Sequence, residues 1–158
     1  MAKAPDMTID TDAVYRVTIS TGKGDIVADL DARIAPLSVN NFVTLANDGY
    51  YNGLTFHRVE PGFVIQGGCP EGSGRGGPGW RFADEPVQGK YTKGAFAMAN
   101  AGPDTNGSQF FVCLDDLTGR LPKQYNLFGH VVEGLDVVDA IRVGDVMNTV
   151  TVVQQPAA

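Results

Sequence analysis

Arg58, Gln66 and Gln109 are the polar side chains whose surroundings suggest chemistry. They lie in two segments, Phe56-His57-Arg58-Val59-Glu60-Pro61-Gly62-Phe63-Val64-Ile65-Gln66-Gly67-Gly68 and Met98-Ala99-Asn100-Ala101-Gly102-Pro103-Asp104-Thr105-Asn106-Gly107-Ser108-Gln109-Phe110-Phe111. Neighbouring side chains on a strand point to opposite faces. Alternation therefore gives one face to Arg58, Val64, Gln66, Gln109 and Phe111, and the other to His57, Ile65, Phe110 and Val112. The second set is expected to fill a barrel. The first mixes a guanidinium, two amides and two apolar groups, which suits a shallow groove with an apolar pocket and a few donors. Alone, Arg58 would read as a surface ion-pair partner and Phe111 as core; their combination points to a site.

Other motifs fail on context. Gly72-Ser73-Gly74-Arg75-Gly76-Gly77 spells GxGxxG, but that fingerprint needs a strand before it and a helix after it. Cys69-Pro70-Glu71 precedes it and Pro78-Gly79 follows, so no helix can start where a pyrophosphate would need one. Asn106-Gly107-Ser108 matches a glycosylation acceptor. Ser108 lacks the GxSxG elbow of a hydrolase nucleophile. Cys69 and Cys113 belong to no CxxC pair and are expected to be buried thiols, and two histidines, His57 and His130, nearly exclude a histidine-rich metal site.

The surrounding pattern is mostly short strands. Tyr15, Val17 and Ile19 alternate with Arg16, Thr18 and Ser20, and Ile26, Ala28 and Leu30 complete a hairpin across Gly22-Lys23-Gly24-Asp25. Pro36 suits a helix start. Val39, Phe42, Val43 and Ala46 then form one apolar stripe before Gly49, with Asn40, Asn41, Thr44, Asn47 and Asp48 expected on a solvated face. Further strands are expected at 54–59, 64–66, 95–99, 109–114, 127–132 and 146–153, with a short helix at 135–141. This is a mainly β fold, a closed or nearly closed barrel with helical caps. Residues 1–12 are expected to be a flexible or lightly attached segment, 13–154 a single domain and 155–158 a frayed tail.

Glycine and proline contribute 20 and 9 of the 158 residues, above the usual ~7% and ~5%, as many turns require. The net charge is −6 and the twelve basic residues are scattered. A nucleic-acid partner is unexpected, since that would need a clustered basic face. No apolar run approaches the ~20 residues of a membrane span, and the N-terminus shows no signal pattern. A cytoplasmic location is the expectation.

The blocks FHRVxPGFVIQGG and MANAGPxTNGSQFF closely resemble the two signature segments of the cyclophilin family of peptidyl-prolyl isomerases. The likeness extends from about Val14 to Val153 and includes Phe82-Ala83-Asp84-Glu85 and Phe128-Gly129-His130-Val131. It implies an eight-stranded antiparallel closed β-barrel capped by two α-helices, with the active groove on the outer wall. By matching motif positions, Arg58 resembles the family's catalytic arginine. Phe63, Phe111 and Leu121 resemble walls of a proline pocket, and Gln66, Ala99, Asn100 and Gln109 resemble peptide-binding residues. No cofactor or metal is implied. The implied partners are proline-containing peptides and unfolded or partly folded proteins, bound by a monomer.

Three positions depart from the familiar pattern. Val64 stands where the pocket usually has methionine; Arg120 stands where many members have tryptophan, and Tyr125 where many have histidine. The last two assignments, with Leu121, rest on aligning the loop from Asp115 to Gln124. Tyr125 keeps an aromatic body with a polar tip, whereas Arg120 should weaken binding of a cyclosporin-like inhibitor. Trp80 follows the Gly-rich loop and is expected to be structural. The rival reading is a cyclophilin-like module that holds proline-containing segments without turnover.

Overall fold

The computed structural model describes residues 3–156. Their order is β1 (Val14–Thr21), β2 (Gly24–Asp31), α1 (Pro36–Asn47), β3 (Phe56–Glu60), β4 (Val64–Gly67), β5 (Ala95–Met98), β6 (Phe110–Cys113), β7 (Leu127–Glu133), α2 (Leu135–Ala140) and β8 (Met147–Gln154). The strands form one antiparallel sheet in the order β3-β4-β6-β5-β7-β2-β1-β8. The sheet curls so that the chain just before β3 meets the chain entering β8. There an isolated bridge, Thr55 to Val146, joins the edges, with the Gly53 and Met147 amides donating to the carbonyls of Met147 and Leu54. The ladder does not run fully round, so the expected closed barrel is corrected to one with an incomplete seam. The edge strand β3, five residues long, is too short to pair along the eight residues of β8.

Alternation builds the interior. Val17, Ile19, Ile26, Ala28 and Leu30 are buried from the first hairpin, and Ile65, Phe96, Phe110, Val112 and Phe128 from the later strands. Phe96 and Phe110 stack with centroids 4.8 Å apart, and Phe42 from α1 meets Phe110 edge-on at 5.5 Å. Such pairs add to the burial of their large apolar areas.

His57 departs from its expected inward position. Phe56 pairs with Gly67 and Arg58 with Gln66, so His57 is an extra residue in a β-bulge. Phe56 takes the buried place, and the half-buried His57 ring lies against Gly74, where an added Cβ would stand 3.5 Å from Nε2.

The face of α1 expected to be solvated is so at Asn47 and Asp48, and in part at Thr44, but is corrected at its first two positions. Asn40 and Asn41 are buried. Asn40 accepts from the Thr8 amide at 3.0 Å and donates to the Asp6 carbonyl at 3.1 Å, which ties the segment before β1 to the helix. Asn41 donates to the Gly107 carbonyl at 2.7 Å and accepts from Trp80 Nε1 at 2.8 Å. An asparagine on an apolar helix is tolerated when both ends of its amide find partners. Glu85 caps α1, its carboxylate accepting from the Leu37 and Ser38 amides at 2.8 and 2.9 Å, where the helix dipole favours negative charge. Gln155 continues the last ladder by donating to the Val14 carbonyl; residues 1–2 and 157–158 of the two expected loose ends lie outside the described residues.

Candidate active site

The site lies on the outer face of β3, β4 and β6. Gln66 is the cross-strand partner of Arg58 on one side and of Phe111 on the other, and Ala97 follows in β5. Directly opposed side chains sit roughly 4.5–5.5 Å apart at Cβ. The register therefore lines up a guanidinium, an amide and an aromatic ring in one row.

The polar half is a directed relay. Arg58 donates from Nη1 to Gln66 Oε1 at 3.1 Å; Gln66 Nε2 donates to Gln109 Oε1 at 3.1 Å; Gln109 Nε2 donates to the carbonyls of Gly74 and Gly76 at 2.9 and 3.0 Å. A guanidinium can only donate and a carbonyl can only accept, so the two ends set both amide orientations. The Gly-rich loop is the backstop of this relay. Gly68 lets the chain enter it: its φ is +91°, and a Cβ there would lie 2.6 Å from the Ser108 carbonyl oxygen.

Glu60, two residues along β3, accepts from Arg58 Nε and Nη2 at 3.1 and 2.9 Å. The pair is about half exposed on each side, 45% and 51%, so water screens it and a substrate can displace it at little cost. Among the described residues two of the five guanidinium N–H groups have no partner.

The apolar half is a second cluster, separate from the barrel interior. Val64, Phe111, Cys113, Leu117 and Tyr91 form its buried floor, with Phe63, Ala99, Leu121 and Tyr125 partly exposed around it. Phe111 and Tyr125 meet edge-on at 5.5 Å. Phe63 carries the Arg120 guanidinium 6.0 Å from its ring centroid, within reach of a cation–π attraction. All the expected pocket residues, including those assigned through the 115–124 loop, thus share one cluster. Burial pushes the Cys113 thiol beneath them up to about 12, so it is a filler.

Asn100 uses its side chain as a brace. Its Nδ2 donates to the Gln124 carbonyl at 2.8 Å and its Oδ1 accepts from the Gly102 amide at 3.2 Å. A groove of about 550 Å³ runs past Gln66, Gln109, Ala99 and Asn100, with the Gly-rich loop and Trp80 on its far wall. Ser108 is no nucleophile: it is buried, and its Oγ donates to the Gly68 carbonyl at 2.7 Å. Sequence reasoning missed Glu60 and the Gly74 and Gly76 carbonyls. Glu60 was discoverable, because i and i+2 share a strand face; backbone carbonyls carry no side-chain signal.

A family model described as "Cyclophilin type peptidyl-prolyl cis-trans isomerase/CLD" matches residues 16–157. A peptidyl-prolyl cis-trans isomerase of Helicobacter pylori is 50% identical over 137 residues, covering 84% of this chain and 83% of that protein. Peptidyl-prolyl cis-trans isomerase B of Bacillus subtilis is 48% identical over 126 residues, covering 78% and 87%. A crystal structure of a Cryptosporidium parvum cyclophilin type isomerase superposes with a TM-score of 0.82 at 32% identity, covering 90% of this chain and 99% of that one. The same protein was also crystallised in the presence of the dipeptide Ala-Pro and superposes at 0.79, with 33% identity over 85% and 96% of the two chains. The chain belongs to the cyclophilin type peptidyl-prolyl cis-trans isomerases.

Proposed function

We propose that Arg58 accelerates rotation about Xaa-Pro bonds by donating to the twisted prolyl amide while the outer apolar cluster holds the proline ring. The planar amide resists rotation because resonance gives its C–N bond double-bond character, a barrier of roughly 18–20 kcal/mol. Twisting removes that resonance and leaves a lone pair on nitrogen. A donor aimed at the lone pair, or at the displaced carbonyl oxygen, favours the twisted amide over both planar forms. No bond breaks, so no nucleophile or general base is needed.

The observation that carries this reading is the single cross-strand row Arg58, Gln66, Phe111. Phe63, Val64, Phe111 and Leu121, with Tyr125 at the rim, grip the ring while the acyl side turns. Gln66, Gln109, Ala99 and the Asn100 backbone steady the flanking peptide. Lowering the barrier by about 5–7 kcal/mol gives roughly 10⁴- to 10⁵-fold acceleration. The clients are proline-containing segments of unfolded or partly folded proteins, and the enzyme works as a cytoplasmic monomer. Arg120 at the pocket rim weakens a cyclosporin-like inhibitor that would prefer an indole there.

The test is a magnetisation-exchange assay on a short Xaa-Pro peptide, comparing wild type with Arg58→Ala. Arg58 is exposed, so the variant should stay folded and lose at least tenfold in kcat/KM. Near-wild-type turnover in the folded variant would remove Arg58 from the mechanism. Peptide binding without turnover by the wild type would make the chain a holding module.

A further inference from the structure

We propose that a cleft beside the proline pocket takes an acidic side chain of the substrate polypeptide, an assignment that rests on the isomerase function above. The cleft, about 390 Å³, lies between Lys90-Tyr91 and the loop carrying Arg120, Leu121 and Lys123. Three cations line it and no carboxylate does.

That composition runs against the chain as a whole, whose net charge is −6. Lys3, Arg16, Lys23, Arg33, Arg58 and Lys93 each form an ion pair. Among the described residues Lys90, Arg120 and Lys123 form none, and neither do Arg75 and Arg81, which line the groove on the other side of Gln109. Of the six cations without an ion pair, five thus line the groove or this cleft, and only Arg142, after α2, lies outside both. Of the loop's own carboxylates, Asp115 accepts from the Asp116 amide at 2.8 Å, while Asp116 accepts from the Thr118 amide at 3.0 Å and is held below the ordinary carboxylate range by that contact first and by the charge of Lys90 last, without forming an ion pair.

The cleft is continuous with the pocket. Leu121 lines both. Tyr91 is buried in the cluster that holds Phe111, and its hydroxyl donates to the Tyr125 carbonyl at 2.6 Å. The loop that carries the cations is anchored by buried Leu117, whose amide donates to the Tyr91 carbonyl at 2.8 Å. The Arg120 and Leu121 amides in turn both donate to the Leu117 carbonyl at 2.9 Å. The positive charges therefore stand on a braced frame next to the ring-binding surface. An extended peptide advances roughly 3.3 Å per residue, so a residue within a few positions of the proline can reach them. Three cations beside a single nearby carboxylate, Asp116, leave a local positive potential that an incoming carboxylate relieves. Contacts between exposed charges are individually weak, so the result is a graded preference for acidic flanking residues.

The test walks a single Glu, Gln or Lys along an alanine-flanked Xaa-Pro peptide, from three residues before the proline to three after it. Exchange spectroscopy gives kcat/KM and fluorescence anisotropy gives Kd, at about 20 mM and about 200 mM salt, where screening differs strongly. At one or two adjacent positions the Glu peptide should exceed the Gln peptide by about three- to tenfold, with Lys lowest. Raising the salt should compress that order. A Lys90→Gln, Lys123→Gln double variant, checked by thermal melting, should bring the Glu-to-Gln ratio within about twofold of unity. Equal handling of Glu and Lys peptides at every position at low salt overturns the proposal. So does a charge preference that survives in the folded double variant. Sorting by charge in anisotropy without turnover of any peptide would uphold the cleft and overturn the isomerase mechanism; turnover of every peptide alike would do the reverse.

Discussion

Strands β4 and β6 carry two structures on their two faces. Inward, Ile65, Phe110 and Val112 are wholly buried among the rings of Phe42, Phe56, Phe96 and Phe128. Outward, one residue away along the same backbone, Val64, Phe111 and Cys113 floor a smaller cluster whose rim residues stay partly exposed. The inner face can be packed on all sides because nothing has to enter it. The outer face has buried ring atoms below, open groove above, and a polar relay at its edge. One strand can thus bear the stability of the fold and the shape of a binding surface, divided by the alternation of its side chains.

That division predicts unequal losses. Phe110→Ala should cost about 3–5 kcal/mol in urea unfolding, since it opens a cavity among rings that cannot collapse. Phe111→Ala should cost about half of that or less, because the groove lets neighbours and water relax into the space, while kcat/KM falls about tenfold or more. Equal stability losses at the two positions would show that the outer cluster is core after all.

A smaller effect separates the relay from the pocket. Gln109→Ala removes the link between the Gly-rich loop and Gln66 without opening the apolar floor. Turnover should drop about three- to tenfold, as for loss of a positioning contact worth roughly 1 kcal/mol, with the melting temperature nearly unchanged. A Gln109→Ala enzyme with full kcat/KM would mean that Gln66 and Arg58 hold their places without the loop.

Alternation and turn residues made most of this legible beforehand. The strand and helix positions, the shared face of Arg58, Gln66, Gln109 and Phe111, and the helix end at Gly49 all follow from period and spacing. The failures have physical causes. One extra residue in β3 moved His57 from its expected inward place, which Phe56 takes, and a bulge leaves no mark in a pattern of single residues. Asn40 and Asn41 read as solvated because their partners, the carbonyls of Asp6 and Gly107 and the indole of Trp80, lie far along the chain. The pocket role of the 115–124 loop could be placed only by resemblance, since the i, i+4 spacing of Leu117 and Leu121 is broken up by Gly119 and Pro122 and belongs to no regular element.

The bulge offers the finest probe of the two faces. Burial first, and the neighbouring Arg58 second, lower the pKa of His57 from its ordinary 6.5, and burial lowers that of His130. A lowered histidine pKa means that the folded protein binds fewer protons than the unfolded chain. Above pH 6.5 both states are neutral at these rings and nothing is lost. As pH falls below 6.5 the unfolded chain protonates first, so stability declines towards the folded pKa values. Asp31 and Asp145, held below 3.8 chiefly by Arg33 and Lys23 respectively, contribute stability that is lost only in a more acidic window. The melting temperature should therefore fall modestly between about pH 6.5 and 5, and His57→Gln should remove part of that slope. Because His57 sits on the groove side against Gly74 rather than inside the barrel, the substitution should leave the pH 7.5 melting temperature almost unchanged. A large loss at pH 7.5 would return His57 to the interior and undo the bulge.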